Sequence, residues 1–252
     1  MEQGKFWSAD FFSLNPFSLN KRRERLARKV PNGTLKDFLS IPFPEPSLAI
    51  REVPLLALDF ETTAMSAQSG QLLSVGFVGI EQLSIRLSSS EHYLVKPETS
   101  GLESKYSSSR SSIETNSETV VIHQITEQES QQGEPLVSVI ERLLTAMAGK
   151  VMIAHYAKIE QSFLAKACKL LYGYEPIFPV IDTLALAKRR LDSKQIAYDP
   201  SELRLTNLRD SYQLPSHYAH NALNDAVATA ELLLAEIAHH HLPSTPLAKL
   251  LR

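Results

Sequence analysis

A single cysteine, Cys168, stands among 252 residues, so no disulfide forms within the chain and a reducing compartment is the default expectation. No window approaches the ~18 consecutive apolar residues of a membrane-spanning helix. The first residues also lack the basic start, apolar run and small-residue cleavage site of a secretory signal. These absences predict a cytoplasmic protein with no membrane partner. Charge of one sign is missing too. The 26 basic and 28 acidic side chains leave a formal net charge of -2, which excludes a protein that coats nucleic acid by bulk electrostatics but permits a site that grips one strand end. What remains is an ordinary globular composition, 43% hydrophobic and 21% charged. A chain of this length buries roughly three quarters of its unfolded surface, enough for one substantial core plus an appendage.

Residues 1–49 form an N-terminal arm by composition. Phe6, Trp7, Phe11, Phe12 and Phe17 crowd its start, a basic run from Lys21 to Lys29 follows, and prolines 42, 44 and 46 close it. Two readings stand for this arm: a helix that packs its aromatics on the main core and solvates its basic face, or a segment that binds nucleic acid or a protein partner. Residues 50–242 read as the main domain and 243–252 as a C-terminal tail.

Short apolar runs at 54–60, 71–80 and 92–96 predict three strands with short links. Residues 98–119 hold eight serines and read as a surface loop or insertion. Helical spacing then returns at 136–147, a buried strand at 151–154, a helix through Phe163 to Leu171 and a strand at 177–181. Asp182-Thr183 caps a helix at 184–191, and a last helix spans 221–238. Strands followed by alternating helix and strand predict an α/β fold with a mixed sheet.

Chemistry concentrates in three places. Asp59 and Glu61 lie two apart at the end of the first strand, so both point to one face while Phe60 points to the other. Adjacent carboxylates repel unless a cation lies between them, and hard oxygen ligands suit magnesium or manganese. Glu160 falls in the first turn of the helix after the strand that ends Ala154-His155; helix-dipole stabilisation alone also explains an acid there. His220 precedes the last helix, with Asp225 one turn inside it. Small residues at 226, 228 and 230 let that helix lie close to the sheet.

Taken in order, these segments resemble the DEDDh exonucleases, the DnaQ-like family that includes the epsilon proofreading subunit of bacterial DNA polymerase III and RNase T. The resemblance spans about residues 53–240. Leu58-Asp59-Phe60-Glu61-Thr62-Thr63 is similar to the first motif and Ile122 to Glu127 to its His-Gly-Ile-Thr segment, with Gln124 for glycine. Ala154 to Glu160 resembles the second motif, Asp182-Thr183-Leu184 an Asp-Thr-Leu stretch, and His220 to Asp225 the third motif. The chain departs from the pattern at Tyr156, where the family has Asn, at Ile159-Glu160, where it has Phe-Asp, and at Ser74, where it has Glu. The extra methylene of Glu160 moves its oxygens by about 1.5 Å, which favours manganese over the geometrically stricter magnesium.

The resemblance implies an RNase H-like fold with a mixed sheet of about five strands flanked by helices. It implies two divalent ions, Mg2+ or Mn2+, held by Asp59, Glu61, Glu160 and Asp225, with His220 as the base. It also implies a 3'-5' exonuclease that acts on the 3' end of single-stranded DNA or RNA and releases nucleoside 5'-monophosphates. Thr62, Thr63, Met65 and His155 are the implied substrate contacts. His217 falls outside the motif spacing and is expected to be peripheral. Two other readings are an inactive nucleic-acid-binding relative and a hydrolase of short oligonucleotides. Cys168 reads as a core residue. No pattern speaks to oligomeric state.

Overall fold

The computed structural model describes residues 18–97, 131–195 and 197–251. The serine-rich stretch 98–119, the segment Ile122 to Glu127 and the aromatics from Phe6 to Phe17 lie outside the described residues. Five strands, β1 (Leu55–Thr62), β2 (Leu72–Glu81), β3 (Ser84–Leu94), β4 (Val151–Ala154) and β5 (Val180–Asp182), form one sheet in the order β3-β2-β1-β4-β5. The β1–β2 and β2–β3 pairs are antiparallel, whereas β1–β4 and β4–β5 are parallel. Helices flank this sheet: α1 (Leu19–Ala27), α2 (Thr34–Ser40), α3 (Leu136–Met147), α4 (Lys158–Tyr172), α5 (Thr183–Ser193), α6 (Leu205–Ser211) and α7 (Ala222–His239). This is the mixed, RNase H-like architecture.

Central position explains the near-continuous apolar run of β1, which is covered on both faces. Leu56, Leu58 and Phe60 face one core with Phe38, Leu143, Phe163 and Cys168. Leu55 and Ala57 face the other with Ala230, Leu233 and Ile237 of α7. The alternation therefore carries Asp59 and Glu61 onto the α7 side.

Helix α7 reaches that side because its contact residues are small. A Cβ on Gly76 would fall 2.1 Å from the Leu223 nitrogen and 2.2 Å from the Ala222 carbonyl carbon. Gly76 pairs directly with Asp59 in the β1–β2 register, so the start of α7 rests on the sheet beside that acid.

The described part of the arm, from Ser18 on, does not stand apart. Leu19, Leu35, Phe38, Leu39 and Phe43 belong to the same core as β1. Within the basic run Arg23 is buried and bonds the Leu39 carbonyl and Asn20 Oδ1, while Lys21, Arg25, Arg28 and Lys29 are exposed. Nor do residues 243–251 dangle: Leu247 N–H bonds the Leu48 carbonyl, and Leu247 and Leu250 are buried in the second core. Two strands differ from their expected bounds. β3 begins at Ser84 rather than His92, and β5 covers 180–182 rather than 177–181. Among the described residues no helix is long and apolar enough to cross a membrane.

Candidate active site

Three elements converge where β1 ends. Asp59 and Glu61 come from β1, Asp225 from the first turn of α7 and Glu160 from the first turn of α4. One carboxylate oxygen from each of Asp59, Glu61 and Asp225 lies within 4.8 Å of the others. Among the described residues this is the only group of three or more His, Cys, Asp or Glu side chains so arranged. Glu160 adjoins the group: its charge opposes the ionisation of Asp59, and the charge of Glu61 opposes the ionisation of Glu160.

Electrostatics show what the cluster wants. Burial, then the charges of Glu160, Asp225 and Glu61, hold the Asp59 carboxyl well above the ordinary carboxylate range. Glu160 is pushed up to about 8, chiefly by burial, with Asp182 and Glu61 adding repulsion. Its Oε2 has no hydrogen-bond partner among the described residues, and neither does the buried hydroxyl of Ser74, which pairs with Glu61 in the sheet. Four oxygen donors, mutual repulsion and an orphaned carboxylate oxygen fit hard divalent cations.

Local structure explains how each acid is delivered. Asn221 caps α7, its side chain accepting the Asn224 N–H at 3.1 Å. Asp225 Oδ2 then accepts the N–H groups of His220 at 2.7 Å and Asn221 at 3.2 Å, while Oδ1 accepts from His217 Nε2 at 2.9 Å. Burial raises the Asp225 pKa, and the His217 bond opposes that rise. His217 is thus in direct contact with a site acid and not peripheral. The His220 imidazole is exposed at the rim, on a backbone with φ of 67°.

On the α4 side Asp182 does more than cap α5. Its Oδ1 accepts the Ala185 and Tyr156 N–H groups and its Oδ2 accepts that of Ala157, at 3.1–3.2 Å. This stitches the end of β5 to the start of α4. Tyr156 adopts φ of 65° there, a left-handed conformation that costs a residue with a Cβ roughly 1–2 kcal/mol.

His155, expected at the substrate, is placed otherwise. Its Nδ1 lies 2.9 Å from Thr183 Oγ1 and its Nε2 2.9 Å from the Leu203 carbonyl. A carbonyl only accepts, so Nε2 carries the hydrogen and Nδ1 accepts from Thr183. Both ring nitrogens are engaged inside the protein, and the ring ties the end of β4 to the start of α5 and to Leu203 instead of offering a polar atom to a ligand. Thr62 and Thr63 shape the loop after β1: Thr62 Oγ1 donates to the Ala64 carbonyl at 2.9 Å and Thr63 Oγ1 accepts the Gln71 N–H at 2.8 Å. Met65 in that loop is 72% exposed.

This geometry has known counterparts. The family model described as Exonuclease, of RNase T type, matches residues 56–233. The chain belongs to this exonuclease family. Curated proteins similar to it include DNA polymerase III chains. The PolC-type DNA polymerase III of Thermotoga petrophila is 29% identical over 179 residues, covering 71% of this chain and 11% of that protein. The DNA polymerase III epsilon subunit of Treponema pallidum is 24% identical over 188 residues, covering 75% of this chain and 78% of the relative. The chain thus spans only about a tenth of the PolC protein's length. Among solved structures, the nuclease domain of 3'hExo, a DEDDh family member bound to rAMP, superposes with a TM-score of 0.56 at 14% identity, covering 76% of this chain and 94% of that domain.

Outside the family site, other residues singled out from sequence have structural roles. Cys168 is fully buried, and burial pushes its thiol up to about 12. In the run 239–241, His240 Nε2 lies against Arg190 Nη1 at 2.9 Å and the Tyr212 hydroxyl at 3.1 Å.

Proposed function

We propose that this exonuclease-family chain hydrolyses single-stranded DNA or RNA from the 3' end and releases nucleoside 5'-monophosphates. One observation carries the reading: Asp59 and Glu61 of β1 and Asp225 of the distant α7 present oxygens within 4.8 Å of one another, with Glu160 alongside. Two ions, Mg2+ or Mn2+, held by these four acids would neutralise the phosphate's growing charge and acidify the attacking water. His220 acts as the base that takes the water's proton, because an exposed imidazole just before the helix that carries Asp225 can approach the scissile phosphate. Asp225 holds the His220 and Asn221 backbone through Oδ2, which fixes where that imidazole begins. Met65, exposed just beyond the Asp-x-Glu strand, stacks against the terminal base, and such stacking tolerates any sequence. That 3'hExo was solved with rAMP supports a nucleoside monophosphate as the product class.

The test is to incubate purified protein with 5'-labelled single-stranded DNA, RNA and dinucleotides, in manganese and in magnesium, beside Asp225→Asn. A ladder that shortens from the 3' end, release of 5'-monophosphates and a dead Asp225→Asn variant are expected. Cleavage of dinucleotides only assigns the small-substrate reading, and no cleavage of any strand overturns the nuclease assignment.

A further inference from the structure

The link between α6 and α7 runs from Tyr212 to Asn221, and its path is set by the protein interior. Arg209, buried on α6, donates through Nη1 to the Ala228 carbonyl at 2.7 Å and through Nη2 to the Pro215 carbonyl at 2.8 Å, and pairs with Glu231 at 2.8 Å. One guanidinium thus ties the link to the middle of α7. Two residues beyond the Pro215 anchor, the chain turns His217 inward and Tyr218 outward. The His217 side chain is 11% exposed whereas Tyr218 is 88% exposed.

The inward ring meets Asp225. A carboxylate only accepts, so His217 Nε2 carries the hydrogen and donates to Oδ1 at 2.9 Å. Oδ2 is already filled by the His220 and Asn221 N–H groups. A carboxylate offers about four lone-pair positions, so three are spoken for inside the protein and one is left, on Oδ1. With Oδ2 held by two backbone N–H groups, the His217 bond fixes the other oxygen, and with it the direction in which the last lone pair of Asp225 is offered to a cation.

We infer that His217 is a positioning residue that orients Asp225 for cation binding, a role distinct from proton transfer by His220. The inference rests on the metal-dependent reading of the cluster above, but its consequence is read on ion binding rather than on hydrolysis. Outer partners of metal-binding side chains are typically worth 10–100-fold in affinity. A bond that merely blocked Oδ1 would have the opposite sign, because its removal would expose a ligand atom.

The experiment is calorimetric titration of Mn2+ into the full chain, metal-free, for wild type, His217→Ala and His217→Gln, with thermal unfolding in chelator to verify that each variant is folded. His217→Ala is expected to weaken Mn2+ by at least ~10-fold. His217→Gln, whose amide N–H reaches a position like that of Nε2, is expected to recover most of the loss. Unchanged or tighter Mn2+ binding by a folded His217→Ala overturns the inference, as does a folded Gln variant no better than Ala. If wild type binds Mn2+ with the expected His217 dependence but degrades no strand, the proposed activity falls and the positioning role stands.

Discussion

Replacing Glu160 by Gln should stabilise the metal-free protein while disabling it. An ordinary glutamic acid ionises near 4.5, whereas burial and the neighbouring Asp182 and Glu61 hold Glu160 at about 8. The folded state therefore keeps a proton that the unfolded chain gives up. Stability linked to this carboxyl is intact below about pH 4.5, declines as pH rises, and is lost once pH passes about 8. Each pH unit between those limits is worth about 1.4 kcal/mol, so at pH 7 wild type has lost ~3 kcal/mol that an always-neutral Gln does not lose. For a domain of this size that corresponds to a Tm difference of roughly 6–12 °C. The assay is thermal unfolding of both proteins in EDTA from pH 4 to 8. The curves should coincide at pH 4 and diverge steadily, with Glu160→Gln the more stable. Added Mn2+ should reverse the order, because only wild type gains strongly from ion binding. A Gln variant no more stable than wild type at pH 7 without metal would refute the claim that Glu160 is held against its own ionisation.

Two further outcomes follow from backbone geometry. Tyr156→Asn should raise stability by ~1 kcal/mol in thermal unfolding, because Asn tolerates the left-handed φ of 65° that Tyr156 adopts. Gly76→Ala should cost ~1–3 kcal/mol and weaken Mn2+ binding in calorimetry, because the new methyl would sit 2.1 Å from the Leu223 nitrogen and push the start of α7, with Asp225, off the sheet. A Gly76→Ala protein with native stability and affinity would show that α7 is not held against β2 as described.

Legibility in sequence followed burial. Helix α3 spans the expected 136–147 because Val139, Ile140, Leu143, Leu144 and Met147 are all buried on one stripe. The apolar strands β1, β2 and β4 were readable because both faces are covered. The start of β3 was not, since Ser84 to Glu91 is a polar edge whose residues gain their conformation from pairing with β2. In the basic run, sequence gives no means to tell buried Arg23 from exposed Arg25; only the Leu39 carbonyl and Asn20 distinguish them. Asp59, Glu61, Glu160 and Asp225 were legible through their order and their places at strand ends and helix starts. His217 was not, because its contact depends on a link anchored by Arg209 to Pro215. A second histidine three residues before His220 was the available signal, and spacing alone argued against it.

The two departures in the second motif, Tyr156 and Glu160, belong to one piece of structure, and the way it is held decides how the longer acid is accommodated. Asp182 accepts the backbone N–H groups of both Tyr156 and Ala157. Those two bonds fix the chain at the start of α4 whatever side chain residue 156 carries, which is how a tyrosine remains at a φ better suited to Asn or Gly. Asp182 is itself locked by capping α5 through Ala185. The backbone beneath Glu160 is thus set by β5 and α5 and does not retreat to make room for one more methylene. The extra length must be absorbed by the Glu160 side chain, which lies against the backbone N–H of Phe60 on β1 and leaves Oε2 without a partner among the described residues. An oxygen held inside the acid cluster and satisfied by nothing there is destabilising to the empty fold and favourable to a cation.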